Sequence, residues 1–151
     1  MKIAYQGIKG SYSESCSKDM YPDCETIPCK TFDDVFKKAN EDEEVRAIIP
    51  ESNRTTGNIG VEYLIFKYRL NIYKEKFYSI NHHLLGLPGT KIKDIKNVYS
   101  HAQGLSQCSD FIKKNNFIEN VRADTAGSAK YISESKIKGE AAIASKECAK
   151  I

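Results

Sequence analysis

The stretch Asn97–Cys108, N-V-Y-S-H-A-Q-G-L-S-Q-C, decides how this chain is read. Asn97 to Tyr99 has the character of the end of a short buried strand. Ser100 stands where a helix would begin, with Gln103 three residues later as in a capping box. Gln107 lies one turn beyond Gln103 on the same helix face. The spacing therefore predicts a strand that delivers neutral, donor-rich side chains to a helix start. In α/β sheets such places suit anions, because free backbone N–H groups point outward there. A cap with no further duty has the same spacing, so the pattern by itself leaves both readings open.

The same order recurs toward the N-terminus. Ile3–Tyr5 reads as a strand, followed by a loop, Gln6 to Glu14, in which Gly7 and Gly10 permit tight turning, and by a helix to about Tyr21. Ser11 or Ser13 is placed to cap that helix. The loop lacks the Gly-Lys-Ser/Thr ending of a P-loop and is not a dinucleotide fingerprint. Glu25–Cys29 reads as a strand, and Thr31 with Asp34 opens an amphipathic helix through Val35, Phe36 and Ala39. Val45–Ile49 is an apolar strand that runs into the polar segment Pro50 to Asn58, with a helix expected over Ile59–Tyr68.

Leu70–Leu85 has strand character, with Ile72, Phe77, Ile80 and Leu84 among its apolar positions. It is too long for one strand of a compact sheet. It is expected to leave a first lobe, residues 1–75, and enter a second, residues 76–151, with a hinge near Lys74–Tyr78. A helical turn is expected at Ile92–Ile95, a helix over Ala102–Lys114 and a strand over Glu119–Ala123. Asp124 or Thr125 would cap a helix to about Glu134, and Ala141–Ala144 would be a last strand before a helix start at Ser145. Strand, polar turn, helix in succession predicts mostly parallel α/β structure.

Composition narrows the function. With 23 basic and 20 acidic residues the net charge is +3, and Lys and Arg are scattered rather than striped, which argues against a nucleic-acid partner. No apolar run approaches membrane-spanning length, and Met1–Tyr5 runs straight into strand pattern with no apolar signal core, so a cytoplasmic chain is expected. Five cysteines without a C-x-x-C pair, and histidines only at 82, 83 and 101, indicate neither a disulfide framework nor a metal site.

Taken together, these segments resemble the catalytic domain of prephenate dehydratase. The marks are the Gly7–Glu14 loop, Pro50 with Asn53, Thr55 and Gly57, and His82-His83-Leu84-Leu85. They continue with Ser100-His101-Ala102-Gln103 through Gln107-Cys108, Thr125-Ala126 with Ala129, and Ala141–Ser145 with Ala149. The resemblance implies two α/β lobes like those of a periplasmic binding protein, mostly parallel sheets with flanking helices, and an active site in the cleft between them. It implies conversion of prephenate to phenylpyruvate with loss of carbon dioxide and water, the committed step toward phenylalanine, with no metal or organic cofactor. A small-molecule substrate is the expected partner, and a homo-oligomer, dimer or tetramer, the expected assembly.

Carried over by position, the resemblance assigns Asn53, Ser100 and Gln107 as catalytic, with Ser11, Thr55, His101, Gln103 and Thr125 as substrate-binding candidates. Departures are Ser52 where the family usually has Glu, Arg54 for a small hydroxyl residue, Ala102 and Ile8 for Pro, and Asp124 where Ser or Asn is common. The family's Thr-Arg-Phe motif would follow Ile151, as would a regulatory ACT domain. The chain is therefore expected to be a fragment of low activity. Two other readings stay open: a prephenate decarboxylase that avoids aromatisation, and a non-catalytic module that binds a small carboxylate.

Prephenate is a dianion driven toward product by aromatisation. Neutral donors can orient its carboxylates without neutralising them, and desolvation of the ring carboxylate favours its loss. Helix starts at Ser11, Ser100 and Thr125 are expected to add backbone donors. His82 and His83, in strand-like sequence, are expected on opposite faces, so that at most one faces a cleft.

Overall fold

The computed structural model describes residues 1–53 and 57–150. Its packing divides the chain into two units, Met1–Ile8 with Tyr12–Ser79, and Lys9–Ser11 with Ile80–Ile151. The chain is α/β, with helices flanking sheets that are mostly parallel.

In the first unit, β1 (Lys2–Gln6) lies between β2 (Glu25–Cys29) and β3 (Val45–Ile48), parallel to both. Its Ile3, Ala4 and Tyr5 are buried, as continuous apolar sequence in a central parallel strand requires. Pro28 has no N–H to give a ladder, and its position in the edge strand β2 accommodates it. Helix α1 (Tyr12–Met20) buries Glu14, whose carboxylate accepts from Lys18 Nζ at 2.7 Å and Thr26 Oγ1 at 3.2 Å. Helix α2 (Phe32–Glu41) opens on the expected capping box: Thr31 accepts from the Asp34 N–H, and Asp34 accepts from the Thr31 N–H. Val35 then packs with Ala4, Cys29 and Val45 in the core.

Within the polar segment after β3, β4 (Ser52–Asn53) pairs antiparallel with β5 (Gly57–Asn58). Helix α3 (Glu62–Tyr68) starts three residues later than expected. Gly60 takes a positive φ of 78° there, and Glu62 is the first helical residue. Tyr68 and Lys67 hold α3 to α2 through Asp33, at 2.9 and 2.6 Å.

The strand character expected over Leu70–Leu85 is realised only from His83. Residues 70–82 have no regular structure, and only β6 (His83–Gly86) enters a sheet. Apolar alternation stabilises a strand only where a neighbouring edge and a core face receive it. Here Ile72, Tyr73 and Phe77 are exposed, and side chains hold the segment to Asp19 in α1 and to Tyr21 just after it instead. The Tyr73 and Tyr21 hydroxyls are 2.9 Å apart, Lys74 lies over the Tyr21 ring, and Lys76 pairs with Asp19.

The second unit holds a four-stranded sheet ordered β6, β9 (Glu140–Ala144), β7 (Asn97–Ser100) and β8 (Ile118–Val121). β7, β8 and β9 run parallel, and β6 is antiparallel to β9. Every residue of β9 is buried. Its alanines let α6 (Thr125–Ser135) approach closely. Asp124 caps α6 by accepting from the Gly127 N–H. A β-carbon at Gly127 would lie 2.8 Å from the Asp124 carboxylate, which would have to shift to make room.

The single helix expected over Ala102–Lys114 is two, α4 (Ala102–Gln107) and α5 (Ser109–Lys114), with a break at Cys108. Leu105 and Ile112 still reach the same core with Val98, Phe117 and Ile143. The last segment is a 3₁₀ turn over Lys146–Lys150, after Ser145.

Candidate active site

Because β7, β8 and β9 are parallel, their carboxyl ends lie at one edge of the second unit's sheet. There Ser100–His101, Asp124–Thr125 and Ser145 emerge, each from a different strand.

Ser100 is the last residue of β7 and not a cap. It remains paired with Val121, its residue is fully buried, and its hydroxyl donates to the Ile143 carbonyl at 2.6 Å. The Ser100 side chain is turned across the sheet and the N-cap falls one residue later, so the expected capping box of Ser100 with Gln103 does not form. The cap is His101, whose Nδ1 accepts from the Gln103 N–H at 3.3 Å. His101 itself is exposed and Gln103 half-buried.

The approach of α4 to Ser100 depends on a residue the sequence reading passed over. A β-carbon at Gly104 would lie 2.7 Å from Ser100 Oγ and 3.6 Å from His82 Cε1. Glycine is thus what allows the serine hydroxyl, the helix and the imidazole to crowd together. Gln107, one turn further on, places its Oε1 2.8 Å from His82 Nε2. The motif had paired Gln107 with Ser100 and Gln103, but the hydrogen bond it makes with His82 spans 25 residues of sequence and left no local signal.

His82 and His83 both line a cavity of about 400 Å³, with Gln107, Cys108, Phe111 and Ile143 among its other walls. The expectation of opposite faces fails because His82 precedes β6, where strand alternation does not apply. His83 is exposed, with Nδ1 3.1 Å from the Asn81 carbonyl. Burial pushes the Cys108 thiol up, which disfavours the thiolate.

Ser11 follows Gly10, whose carbonyl accepts from the Ser145 hydroxyl at 2.6 Å and from the Cys148 thiol at 3.3 Å. These two bonds hold Gly10 to the carboxyl end of β9 within the second unit. Thr125 is the first residue of α6, half-buried, with Asp124 rather than Thr125 serving as the cap. Asn53 belongs to the first unit, half-buried in β4 opposite Gly57. Thr55 lies outside the described residues, as does Arg54.

Among the described residues no three His, Cys, Asp or Glu side chains gather as metal ligands, and no helix is long and apolar enough to cross a membrane. Besides the Asp124 carboxylate that caps α6 and the Asp110 wall of the cavity, the groups here are neutral: an amide hydrogen-bonded to an imidazole, and backbone N–H groups at the start of α6. Such groups orient and hold an anion.

The chain matches the prephenate dehydratase family over residues 3–151. It is 40% identical over 152 residues to arogenate dehydratase 2 of Petunia hybrida, covering 100% of this chain and 39% of that protein. Among solved structures, the prephenate dehydratase of Staphylococcus aureus subsp. aureus Mu50 superposes with a TM-score of 0.81 at 26% identity, over 99% of this chain and 56% of that one. GqqA, described as a novel type of quorum quenching acylase, superposes with a TM-score of 0.90 at 28% identity, over 99% and 55%. The chain thus spans about two fifths of the length of the curated relatives it matches.

Proposed function

The chain belongs to the prephenate dehydratase family, and from that membership we propose that it carries out the decarboxylating dehydration of prephenate to phenylpyruvate in phenylalanine biosynthesis. Arogenate, named in the Petunia relative, is the second substrate to test. The observation that carries the reading is the Gln107 amide, held 2.8 Å from His82 at the wall of a cavity. A neutral donor so held suits a carboxylate that must be oriented without being neutralised.

In this reading the amides of Asn53 and Gln107 bind the substrate's carboxylate and hydroxyl, and the α6 start at Thr125 adds backbone donors. Ser11, Thr55, His101 and Gln103 are the further binding candidates. Ser100 acts as a positioning residue: its hydroxyl fixes the end of β7 against β9, and so the start of the helix that carries Gln107. Aromatisation drives the reaction, and a donor on the departing hydroxyl assists its loss. No cofactor enters the scheme. A cytoplasmic location, and on the family resemblance a dimeric or tetrameric assembly, complete the proposal.

The test is product analysis after mixing the protein with prephenate or arogenate. Phenylpyruvate or phenylalanine supports the reading. A non-aromatic keto acid would make the protein a decarboxylase, and unchanged substrate that is nevertheless bound would make it a binding module.

A further inference from the structure

His82 enters the mechanism above only as the neighbour of Gln107, and its ring is closely placed. Its Nε2 is 2.8 Å from Gln107 Oε1, and its Cε1 is 3.6 Å from where a β-carbon at Gly104 would stand. The backbone beside it is fixed, since β6 begins at His83 and is laddered to β9 from His83 to Gly86. His82 is half-buried, whereas Gln107 is exposed at the end of α4, where an unheld glutamine would sample many rotamers.

We propose that His82 is a positioning residue that sets which end of the Gln107 amide faces substrate. The inference rests on the dehydratase reading. An amide oxygen only accepts and an amide NH2 only donates. With the proton on Nε2, His82 donates to Oε1, and the NH2 becomes the end presented to an anion. With the proton on Nδ1 instead, Nε2 could only accept. The amide would then turn its NH2 toward the ring and show its oxygen to a carboxylate, which repels it. The ring tautomer thus decides whether Gln107 attracts or rejects a dianion.

Long-range ¹H–¹⁵N spectra of the whole chain, labelled at histidine, read the tautomer directly. The neutral His82 ring is expected as Nε2–H, shifting toward a mixture in Gln107→Ala. For turnover, His82→Leu is expected to lower kcat about 3- to 10-fold, the worth of one hydrogen bond, with KM changed less than about twofold. His82→Gln, whose amide can donate from a similar place, should recover most of the loss. His82→Leu added to Gln107→Ala should lower kcat no further, a result that a general packing role would not give.

An Nδ1–H ring, a tautomer unmoved by Gln107→Ala, or losses that multiply in the double variant would each overturn the proposal. If the wild-type chain makes no aromatic product, the dehydratase reading fails. The ring spectra then decide the pairing by themselves, Nε2–H for it and Nδ1–H against it.

Discussion

The Ser100 hydroxyl donates to the Ile143 carbonyl at 2.6 Å, across two parallel strands whose registered pairing ends at Tyr99 with Ala142. The side chain thus continues the sheet one step beyond the backbone ladder. Ser100→Ala removes the donor from a fully buried position and is expected to cost about 1–3 kcal/mol, seen as a lower denaturant midpoint with unchanged slope. Midpoints that agree within error would show that the bond is dispensable.

Gln107→Ala should behave differently. Gln107 is exposed and outside the core, so stability should stay within about 0.5 kcal/mol while phenylpyruvate formation falls at least about 10-fold. Parallel unfolding and turnover measurements on Ser100→Ala and Gln107→Ala separate the two roles.

Gly104→Ala puts a methyl 2.7 Å from Ser100 Oγ, and that oxygen is tethered to Ile143. Overpacking of this kind costs about 1–3 kcal/mol. In a Ser100→Ala background the clash is gone, so the second substitution should cost clearly less than it does alone. Simple additivity of the two unfolding free energies would contradict the contact.

Asp124→Ala should destabilise by about 0.5–2 kcal/mol through loss of the α6 cap, and Asp124→Asn should retain most of it. Thermal unfolding of the pair checks the assignment, which places the cap at Asp124 and not at Thr125.

Alkali should unfold the protein partly through the buried Tyr5 and the half-buried Tyr99. Burial, then the Glu14 charge, push Tyr5 up to about 12, and the hydrogen bond to Glu140 raises Tyr99 further. A group whose folded pKa is raised contributes stability that is fully present below its unfolded value, near 10, and is lost as pH climbs through the folded value. Urea midpoints should therefore fall from about pH 10 toward 12, and Tyr5→Phe should flatten that fall. A midpoint independent of pH over this window would remove tyrosine ionisation as the cause.

Much of the fold was legible because its determinants are local. Thr31 with Asp34 announces a helix start within four residues, and the apolar runs at Ile3–Tyr5 and Val45–Ile49 announce buried strands without reference to anything distant. The same local logic misplaced the cap at Ser100, because a serine before a helix looks alike whether its hydroxyl turns back to the helix or across to another strand. It also gave Leu70–Leu85 strand character, since alternation does not reveal whether a free sheet edge exists.

By itself, the sequence determined the order of strand, polar turn and helix, the parallel sense of most pairings, and the family to which the chain belongs. Those follow from periodicity, capping chemistry and the ordered spacing of motifs, all carried by neighbours along the chain. Only the tertiary structure decided that Ser100 serves the sheet, that Gly104 opens room for it, and that His82 holds Gln107. Each of those depends on groups brought together from separate segments, where the partner of a hydrogen bond or the limit of a close approach exists only once the chain has folded.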